Sequence, residues 1–415
     1  MRGRFLLAGI AVVAIGLIAG VGSIAGAPRA SAANTLTLNI GGGVSGIAAN
    51  DFFPDSITIH AGDTVHFTNP FGEPHTATFE PAGTASPDLI VPGPSGPPQF
   101  GFNPLASNPT FTGTAAVNFD ATKYYNSGIM FQNATADVTF GNAGTFTFIC
   151  LIHGAIDAAG NATGMALSVK VIPTSTGGAD TQATLDSRGA AASAALISKA
   201  QQAASGAVAV ETRLADGTSH WAAQIGKSVT DADALQFLPA DISIKTGDTI
   251  DWTNGFAVPH TVTFTSGAAD PDLVVPVPQP SGPPFLSFNP KLFLPSGGNT
   301  YDGTGYVNSG FLQMGTPLGT KFSLKFTKPG TYAYRCEIHA AEGMIGTITV
   351  TGAALPAATT PVATAPSGVI AGPNTGTGPE GTSAGSWMPA LLALAALGGL
   401  TLATGVALSR WRTGE

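Results

Sequence analysis

Hydrophobic and polar residues alternate in short segments along most of the chain, and clusters of Gly, Pro, Asn and Asp separate these segments. Ile57 and Ile59, then Val65 and Phe67, and later Thr145-Phe146-Thr147-Phe148 place every second residue on one face. Alternation of this length, bounded by turn residues, is typical of half-buried β-strands. The pattern therefore predicts an all-β chain built as a β-sandwich.

The same pattern occurs twice along the chain, at a nearly constant offset. Six matched segments begin at Phe53 and Leu238, Pro74 and Pro259, Pro87 and Pro271, Pro94 and Pro280, Asn126 and Asn308, and Gly144 and Gly330. Chance does not keep six matches in register, so we predict two tandem domains of one fold, at residues 33–173 and 206–352. Residues 187–207 are rich in Ala, Gln and Ser and lack Pro, which favours a short helix. We interpret residues 174–205 as a spacer.

The amino end has the pattern of a secretory signal peptide. Arg2 and Arg4 precede an uncharged apolar run, and the small residues Ala30-Ser31-Ala32 follow it. This order of charged, apolar and small residues predicts cleavage after Ala32, so that residues 1–32 are removed. Because the apolar run is long, an uncleaved membrane helix is the alternative.

The carboxyl end has the pattern of a membrane anchor. Residues 387–409 form an uncharged run of 23 residues, long enough to cross a hydrocarbon core of ~30 Å as a helix. Arg410 and Arg412 follow directly, whereas no Lys or Arg lies between Cys336 and the end of this run. The positive-inside rule then predicts a cytoplasmic tail at residues 410–415 and both domains outside a single-pass cell membrane.

The segment before the predicted anchor leaves a second attachment open. Residues 353–386 are rich in Pro, Thr and Gly, and we interpret them as a flexible linker. Within them, Pro373-Asn374-Thr375-Gly376 is similar to the signals by which some bacteria attach proteins to the cell wall. The leucine expected before the proline is Gly372 here. Cell-wall attachment is therefore an alternative, as is a buried core helix at residues 387–409.

Composition narrows the classes of function. Only 10% of the residues are charged, and Gly (54) and Pro (31) are abundant, which argues against a helical bundle. A net charge of −8 argues against nucleic acid as a partner, because neutralising phosphates requires clustered Lys and Arg. Two cysteines are too few for a disulfide scaffold.

Both domains carry the same ordered set of metal-binding side chains. These residues are His75, Cys150, His153 and Met165 in the first domain, and His260, Cys336, His339 and Met344 in the second. Two imidazoles and a thiolate in one plane, with a weak axial thioether, form a blue-copper site. Cys-x2-His lets one loop deliver two ligands, while the distant His comes from another strand. The donor set therefore predicts copper as the cofactor.

The residues around the second set closely resemble plastocyanin and its relatives among the cupredoxins. The resemblance lies in Pro259-His260, Gly330-Thr331-Tyr332 and Cys336-x2-His339-x4-Met344. It implies two Greek-key sandwiches of cupredoxin type, each holding one type I copper, with the eight residues above as ligands. It also implies that Asn254 steadies the second site from outside the ligand set.

The first domain departs from the family at the axial position. Eleven residues separate His153 from Met165, where the second domain has four between its His and Met. We interpret the additional residues 155–163 as a surface loop, and the axial role of Met165 stays open. In the family the ring edge of the second loop histidine lies at the surface, so His153 and His339 are expected to be exposed routes for electrons. The long inserts at residues 86–131 and 269–312 are predicted to cover one flank of each site and to shape the partner surface.

The same residues also allow other interpretations. Cys150 and Cys336 could form a disulfide, but they occupy the same position in separate domains, and each has a His three residues later. Zinc could use the same ligands, although copper is favoured by the general order of metal affinities. Met130 and Met314 are predicted to pack in the core. The three histidines without counterparts in the other domain, His60, His66 and His220, are not predicted to be ligands.

The sequence favours an electron carrier over an enzyme. A trinuclear oxygen-reducing centre needs about eight histidines, typically as His-x-His pairs; the chain has seven, and none forms such a pair. Neither cysteine is adjacent to a His. The predicted function is one-electron transfer to and from unidentified redox partner proteins at the outer face of a membrane. Copper storage or delivery at the cell surface, and a non-redox surface protein that binds partners, are the alternatives.

Overall fold

The computed structural model describes residues 33–94, 99–111, 115–315 and 319–352. The predicted signal peptide, linker, transmembrane segment and cytoplasmic tail lie outside the described residues. Within the described part of the chain, no helix combines the length and the apolar character needed to cross a membrane.

The first repeat consists mainly of strands. They are β1 (Thr35–Val44), β2 (Ile47–Phe53), β3 (Ser56–His60), β4 (Thr64–Thr68), β5 (Thr78–Phe79), β6 (Ile90–Pro92), β7 (Phe100–Phe102), β8 (Val117–Asn118), β9 (Tyr125–Asn126), β10 (Thr135–Thr139), β11 (Gly144–Ile156) and β12 (Ala162–Ile172). A short helix, α1 (Pro104–Ser107), lies between β7 and β8. Ile57, Ile59, Val65 and Phe67 are buried on alternate positions, as the sequence pattern predicts.

The second repeat follows a long helix and has a similar series of strands. The helix is α2 (Gln182–Ala204), and the strands are β13 (Val210–Arg213), β14 (Ser219–Val229), β15 (Ala232–Leu238), β16 (Asp241–Lys245), β17 (Thr249–Thr253), β18 (Thr263–Phe264), β19 (Val274–Val277), β20 (Phe285–Phe288), β21 (Thr300–Tyr301), β22 (Val307–Asn308), β23 (Lys321–Phe326), β24 (Gly330–Arg335) and β25 (Ile345–Thr351). A short helix, α3 (Pro290–Phe293), follows β20. The described chain is thus mostly β-strand, as predicted.

One sheet runs through both repeats. Its strand order is β21-β23-β17-β14-β15-β2-β1-β4-β10-β8, with β13 paired to β14. The repeats meet where β15 and β2 pair antiparallel, with Ala232 opposite Ala49 and Ala234 opposite Ile47. The two sandwiches are therefore joined by backbone hydrogen bonds between strands.

Each repeat has a second sheet that packs on its part of the shared sheet. The strand order is β3-β12-β11-β5-β9 in the first repeat and β16-β25-β24-β18-β22 in the second. The core between the layers of the first repeat includes Phe67, Phe148 and Leu167. Trp252 and Phe264 lie in the core of the second repeat. Cys150 and Cys336 belong to these two cores, which places the predicted ligands at buried positions.

The two long inserts build a small sheet together. Its strand order is β19-β20-β7-β6, so strands from the two repeats lie side by side. The crossing is close, since a Cβ on Gly101 would lie 2.1 Å from the carbonyl oxygen of Leu286. Phe100 and Phe311 pack in a cluster that Ile338 also contacts. The inserts therefore contact Ile338, in the loop between Cys336 and His339 of the second site.

The segment interpreted as a spacer is a helix of 23 residues that packs on both repeats. Thr181 caps its amino end by accepting a hydrogen bond from the backbone N–H of Thr184. Leu185 is buried in the core of the first repeat. Ala200 and Ala204, near the other end, pack with Leu238 of the second repeat. Because both ends contribute to buried clusters, α2 is part of the packed structure.

Candidate metal centres

An asparagine holds the segment that carries the first histidine of each cluster. In the first repeat the Asn69 side chain donates to the carbonyl oxygens of Glu73 and Met130, at 2.7 and 2.8 Å. It also accepts from the N–H of Phe71 at 3.0 Å. His75 itself exchanges two backbone hydrogen bonds with Met130, which fixes its position beside the core.

Asn254 makes the same bonds in the second repeat. It donates to the carbonyl oxygens of Val258 and Leu312, at 2.8 and 2.7 Å, and accepts from Phe256 N–H at 2.9 Å. His260 and Leu312 are bridged through their backbones. These contacts match the steadying role that the resemblance implies for Asn254.

Cys150 and Cys336 bring the other donors together. In the first repeat the Cys150 Sγ lies 3.7 Å from His75 Nδ1 and 3.6 Å from His153 Nδ1. In the second, the Cys336 Sγ lies 3.8 Å from His260 Nδ1 and 3.5 Å from His339 Nδ1. Both cysteines are buried and free.

A backbone N–H also points at each sulfur. Thr76 and Thr261 donate to the Sγ of Cys150 and of Cys336, each at 3.3 Å. The hydroxyl oxygen of Thr76 accepts from Leu151 N–H at 2.9 Å, and that of Thr261 accepts from Glu337 N–H at 2.8 Å. These bonds tie the histidine segment to the cysteine strand.

The two triads fit a metal ion. In each, the three donor atoms lie within 4.8 Å of one another. Two imidazoles and one buried thiol form the trigonal donor set of a blue-copper site. The structure thus brings together six of the eight predicted ligands, as two groups of three.

The two methionines lie beside the triads. Met165 and Met344 are buried, at 1% and 0% exposure, in the same cores as Cys150 and Cys336. Met344 donates its backbone N–H to the His339 carbonyl, and its own carbonyl accepts from Cys336 N–H, both at 3.0 Å. In the first repeat, the β11–β12 ladder is interrupted between Ile149 and Gly154, so the Cys150–His153 segment bulges.

Residues 155–163 of the first repeat form a surface loop only in part, so the interpretation made from the sequence is partly wrong. Gly154 pairs with Gly164, and Ile156 with Ala162, so β11 and β12 continue as a hairpin beyond the site. Only the turn at residues 157–161 is irregular, and Asp157 stabilises it by accepting from the side chain of Asn161. Backbone pairing therefore accommodates the eleven-residue spacing.

A glycine lies against the outer nitrogen of the first histidine in each repeat. A Cβ on Gly41 would lie 2.0 Å from His75 Nε2, and one on Gly226 would lie 2.5 Å from His260 Nε2. Both glycines have positive φ, +72° and +65°, at irregularities of β1 and β14. Each irregular strand thus lets its backbone approach the imidazole closely.

The electrostatics of the triads favour the metal-binding form of the thiols. Burial alone would raise the pKa of Cys150, but contacts with His153 and His75 hold it well below its ordinary value. The pKa of Cys336 is also held well below its ordinary value, because His339 and His260 outweigh burial. The thiolate is the form that binds metal.

The loop histidines show the opposite shift. Burial alone would lower the pKa of His153, but Cys150 and Glu73 raise it to about 10. Burial would likewise lower the pKa of His339, which Cys336 and Glu73 raise to about 9. Burial raises the pKa of Glu73, yet its contacts with the histidines lower it to about 2.

The expectation that the loop histidines are exposed is wrong. The His339 side chain is 3% exposed and that of His153 is 14% exposed, because the two rings lie between the repeats, where each contacts Glu73. Sequence reasoning missed Glu73. The available signal was a difference between the copies: Glu73 occupies the place that Val258 takes in the second repeat, four residues after the asparagine.

The remaining predictions on single residues have mixed outcomes. Met130 is buried in the core as predicted, whereas Met314 is 44% exposed, so the prediction for Met314 is wrong. His66 and His220 contact Asp137 and Asp251, each at 2.6 Å. His60 contacts the carbonyl oxygen of Thr176 at 2.8 Å. All three bonds lie apart from the two triads.

Comparison with known proteins agrees with this geometry. Residues 223–351 match the family model of copper binding proteins of the plastocyanin/azurin family. The chain is 32% identical over 156 residues to the chloroplastic plastocyanin of Oryza sativa subsp. indica, covering 38% of this chain and 79% of that protein. It is 33% identical over 120 residues to the plastocyanin of Scenedesmus fuscus, covering 29% and 91%.

Solved structures were also matched. The oxidized plastocyanin of Dryopteris crassirhizoma is 22% identical, with a TM-score of 0.20, over 31% of this chain and 99% of that one. The oxidized form of a mutant amicyanin is 21% identical, with a TM-score of 0.19, over 31% and 80%.

The β-sandwiches and the buried His–Cys–His triads define a cupredoxin-like protein. On the identity and coverage shared with the plastocyanins, the chain belongs to the plastocyanin/azurin family of copper-binding proteins.

Proposed function

We propose that the chain is an electron carrier that binds one type I copper in each repeat. The observation that carries the proposal is the duplicated triad, with two Nδ1 atoms and one Sγ at contact distance in each repeat. Copper bound there would supply the chemistry by cycling between Cu(II) and Cu(I). Met165 and Met344 are the proposed axial ligands.

The chain's own residues prepare these sites. The asparagine and threonine bonds fix the first histidine and the cysteine strand before metal binds. Sites that are fixed in advance rearrange little when the charge of the ion changes. The buried cysteines are shielded from solvent, which protects the thiolates from oxidation. This rigidity supports rapid one-electron exchange.

The contacts of the seven histidines support electron transfer rather than catalysis. Four of the seven histidines form the triads, and the other three contact Asp137, Asp251 and the Thr176 carbonyl. When an electron carrier is reduced in air, its oxygen uptake should be limited to the slow reoxidation of its copper. Sustained oxygen uptake with excess ascorbate, measured with an oxygen electrode, would contradict this part of the proposal.

Copper loading is tested on the purified protein. We expect two copper ions per chain, an intense blue colour with Cu(II), and bleaching by ascorbate. Cys336→Ser and Cys150→Ser should each remove about half of the colour, since each leaves one triad intact. A colourless protein after copper loading would contradict the proposal. Complete loss of colour in Cys336→Ser alone would mean that the first repeat is empty.

The proposed location rests on the residue patterns near the two ends of the sequence, which lie outside the described residues. Residues 387–409 are proposed to anchor the protein in the cell membrane, with both repeats on the outer side, where redox partner proteins would meet them. Ending the chain at residue 386 should move the protein from the membrane fraction to the soluble fraction. Retention with cell-wall material would instead favour the sorting signal.

A further inference from the structure

One carboxylate lies between the two metal centres. Glu73 Oε1 is 3.5 Å from Nε2 of His153, in its own repeat, and Glu73 Oε2 is 3.6 Å from Nε2 of His339, in the other repeat. The Glu73 side chain is 8% exposed. Oε2 is fully buried and has no hydrogen-bond partner among the described residues, although it faces His339.

The orientation of the two histidine rings indicates what this carboxylate does. In both, Nδ1 faces the cysteine sulfur, at 3.6 Å for His153 and 3.5 Å for His339. When Nδ1 binds a metal, the neutral ring carries its proton on Nε2, and a carboxylate beside Nε2 fixes that tautomer and raises the basicity of the ligand. Glu73 is placed to do this for one ligand in each repeat.

The arrangement is held on both sides of the junction. Asn69 donates to the Glu73 carbonyl at 2.7 Å, which fixes the backbone of Glu73. Across the junction, Gly46 N–H donates to the Glu342 carbonyl at 2.6 Å. The space is tight, because a Cβ on Gly72 would lie 2.2 Å from an oxygen of the Glu342 side chain. The backbone on either side is therefore constrained where the two rings meet Glu73.

The repeats are not equivalent at this point. Val258 takes the place of Glu73 in the second repeat, so the duplication supplies a single carboxylate here. The second repeat does have an acid nearby, Glu342, which acts electrostatically on His339. Among the described residues, however, only Glu73 lies within ion-pair distance of the two rings. The structure aims the two oxygens of one side chain at two rings.

We propose that Glu73 is a positioning residue shared by both centres, so that the properties of each copper depend on the same carboxylate. The proposal rests on the function proposed above. The negative charge favours Cu(II) over Cu(I) at both sites, since the oxidised ion carries one more positive charge. Removing the charge should therefore raise both reduction potentials and weaken Cu(II) binding at both centres.

The test uses Glu73→Gln in two backgrounds, Cys336→Ser and Cys150→Ser, which leave only the first or only the second centre. At a fixed ambient potential we expect the ratio of Cu(II) to Cu(I) to fall about tenfold at each centre, which is about 59 mV for one electron. Cu(II) affinity should fall at least about tenfold at each. Glu80→Gln is the matched control, because Glu80 is also a buried glutamate of the first repeat, 6% exposed.

A copper-independent measurement separates this proposal from the proposed function. In the metal-free protein, Glu73→Gln should shift the side-chain nitrogen NMR signals of both His153 and His339, and Glu80→Gln should shift neither. A shift confined to His153, or potentials that change only at the first centre, would overturn the sharing. A chain that binds no copper overturns the proposed function instead, and the nitrogen signals still decide whether Glu73 holds both rings.

Discussion

At the scale of single residues, Asn69 and Asn254 support the sites by holding the backbone that carries the first histidine of each triad. Each uses all three of its side-chain bonds on backbone groups, and both residues are fully buried. The bonds connect the loop that precedes the first histidine with the segment that is bridged to this histidine. An amide is suited to this role because it donates twice and accepts once.

Replacing Asn254 with alanine should therefore destabilise the second repeat. Three backbone groups, one buried and two partly buried, would lose their partner. We expect the free energy of unfolding to fall by about 2–4 kcal/mol. The measurement is urea unfolding followed by tryptophan fluorescence, since Trp252 lies in that core.

Asn118→Ala is the control, because Asn118 is an exposed residue of the two-residue strand β8. A loss for Asn254→Ala no larger than that of the control would show that the amide bonds do not stabilise the fold.

The ligand residues could be predicted from the sequence. The residue that lies between the two sites, Glu73, could be predicted only in part. Cys-x2-His and a distant His preceded by Pro recur in both copies, and metal geometry constrains that spacing. Glu73 lies two residues before His75, but which surface it faces depends on how the repeats meet. Sequence alternation carries no information on that arrangement, and so the burial of His339 was not foreseen.

At the scale of elements, the irregularities of β1 and β14 shape the sites as much as the ligand loops do. The ladder between β14 and β15 shifts register between Ile225 and Lys227, and Gly226 at this point has its backbone against His260. The extra residue lets a strand of the shared sheet reach the imidazole.

Gly226→Ala should displace the His260 ring and weaken the second copper site. The new Cβ would lie 2.5 Å from Nε2, far inside contact distance. We expect at least about tenfold weaker copper binding at that centre, because ligand geometry decides metal affinity. The measurement is copper titration in the Cys150→Ser background, read from the absorption of the remaining centre.

Gly217→Ala separates this effect from backbone strain. Gly217 has a similar positive φ, +87°, but nothing lies within 4 Å of its added Cβ. Both variants carry the cost of a side chain in the left-handed region. Equal copper affinities in the two variants would exclude a role for the close approach to His260.

Strand alternation predicted the all-β class and the strands β3, β4 and β11, whereas the pairing of strands across the repeats could not be predicted from it. β6 pairs with β7 and β19 with β20 inside their own inserts, but β7 pairs with β20 across the repeats, where Gly101 lies opposite Ser287. The β11–β12 hairpin was missed for a different reason. Ala155 and Ile156 precede Asp157 and Gly160, and these turn residues suggested a loop although they occupy only its tip.

At the scale of the whole molecule, the repeats behave structurally as one body. β2 and β15 pair in the middle of the shared sheet, and Asn50 donates to Asp233 across the junction at 2.7 Å. Helix α2 covers this region and contributes Leu185 to one core and Ala200 to the junction cluster. Loss of structure in one repeat should therefore disturb the other.

Leu185→Ala tests this coupling. Leu185 is 1% exposed in the first core, and removing its side chain should cost about 2–5 kcal/mol. The tryptophans at 221 and 252 both belong to the second repeat, and the first repeat has none. We expect the thermal midpoint reported by tryptophan fluorescence to fall in this variant.

Leu105→Ala provides the comparison, since Leu105 is 59% exposed. If the tryptophan midpoint of Leu185→Ala stayed at the wild-type value while circular dichroism showed an earlier second transition, the repeats would be independent.

An acid at the junction makes stability depend on pH. Burial, with the nearby charges of Asp231 and Asp55, raises the pKa of Asp51 to about 7. Its ordinary value lies near 4. The folded protein therefore loses stability as pH rises from about 4 to 7 and carries the full cost above 7. Asp51→Asn should stabilise the protein at pH 8 by about 1–2 kcal/mol, given its partial exposure, and should have no stabilising effect at pH 4.

Thermal unfolding at the two pH values measures the difference. Asp157→Asn is a control of opposite sign, because hydrogen bonds from Asn161 lower the pKa of Asp157 despite a small opposing effect of burial. That variant should not gain stability at pH 8. An equal gain at both pH values for Asp51→Asn would rule out the ionisation as the cause.

The pairing of β2 with β15 also sets the smallest part of the chain that can be studied in isolation. A cut inside α2 would leave each half with a strand whose outward N–H and C=O groups have lost their partners, flanked by the apolar side chains of Ile47, Ala49 and Ala234. Such open strands recruit one another, and separated halves would tend to recombine or precipitate. We therefore expect the two copies to fold only as one unit, with neither self-sufficient once it is separated from the other.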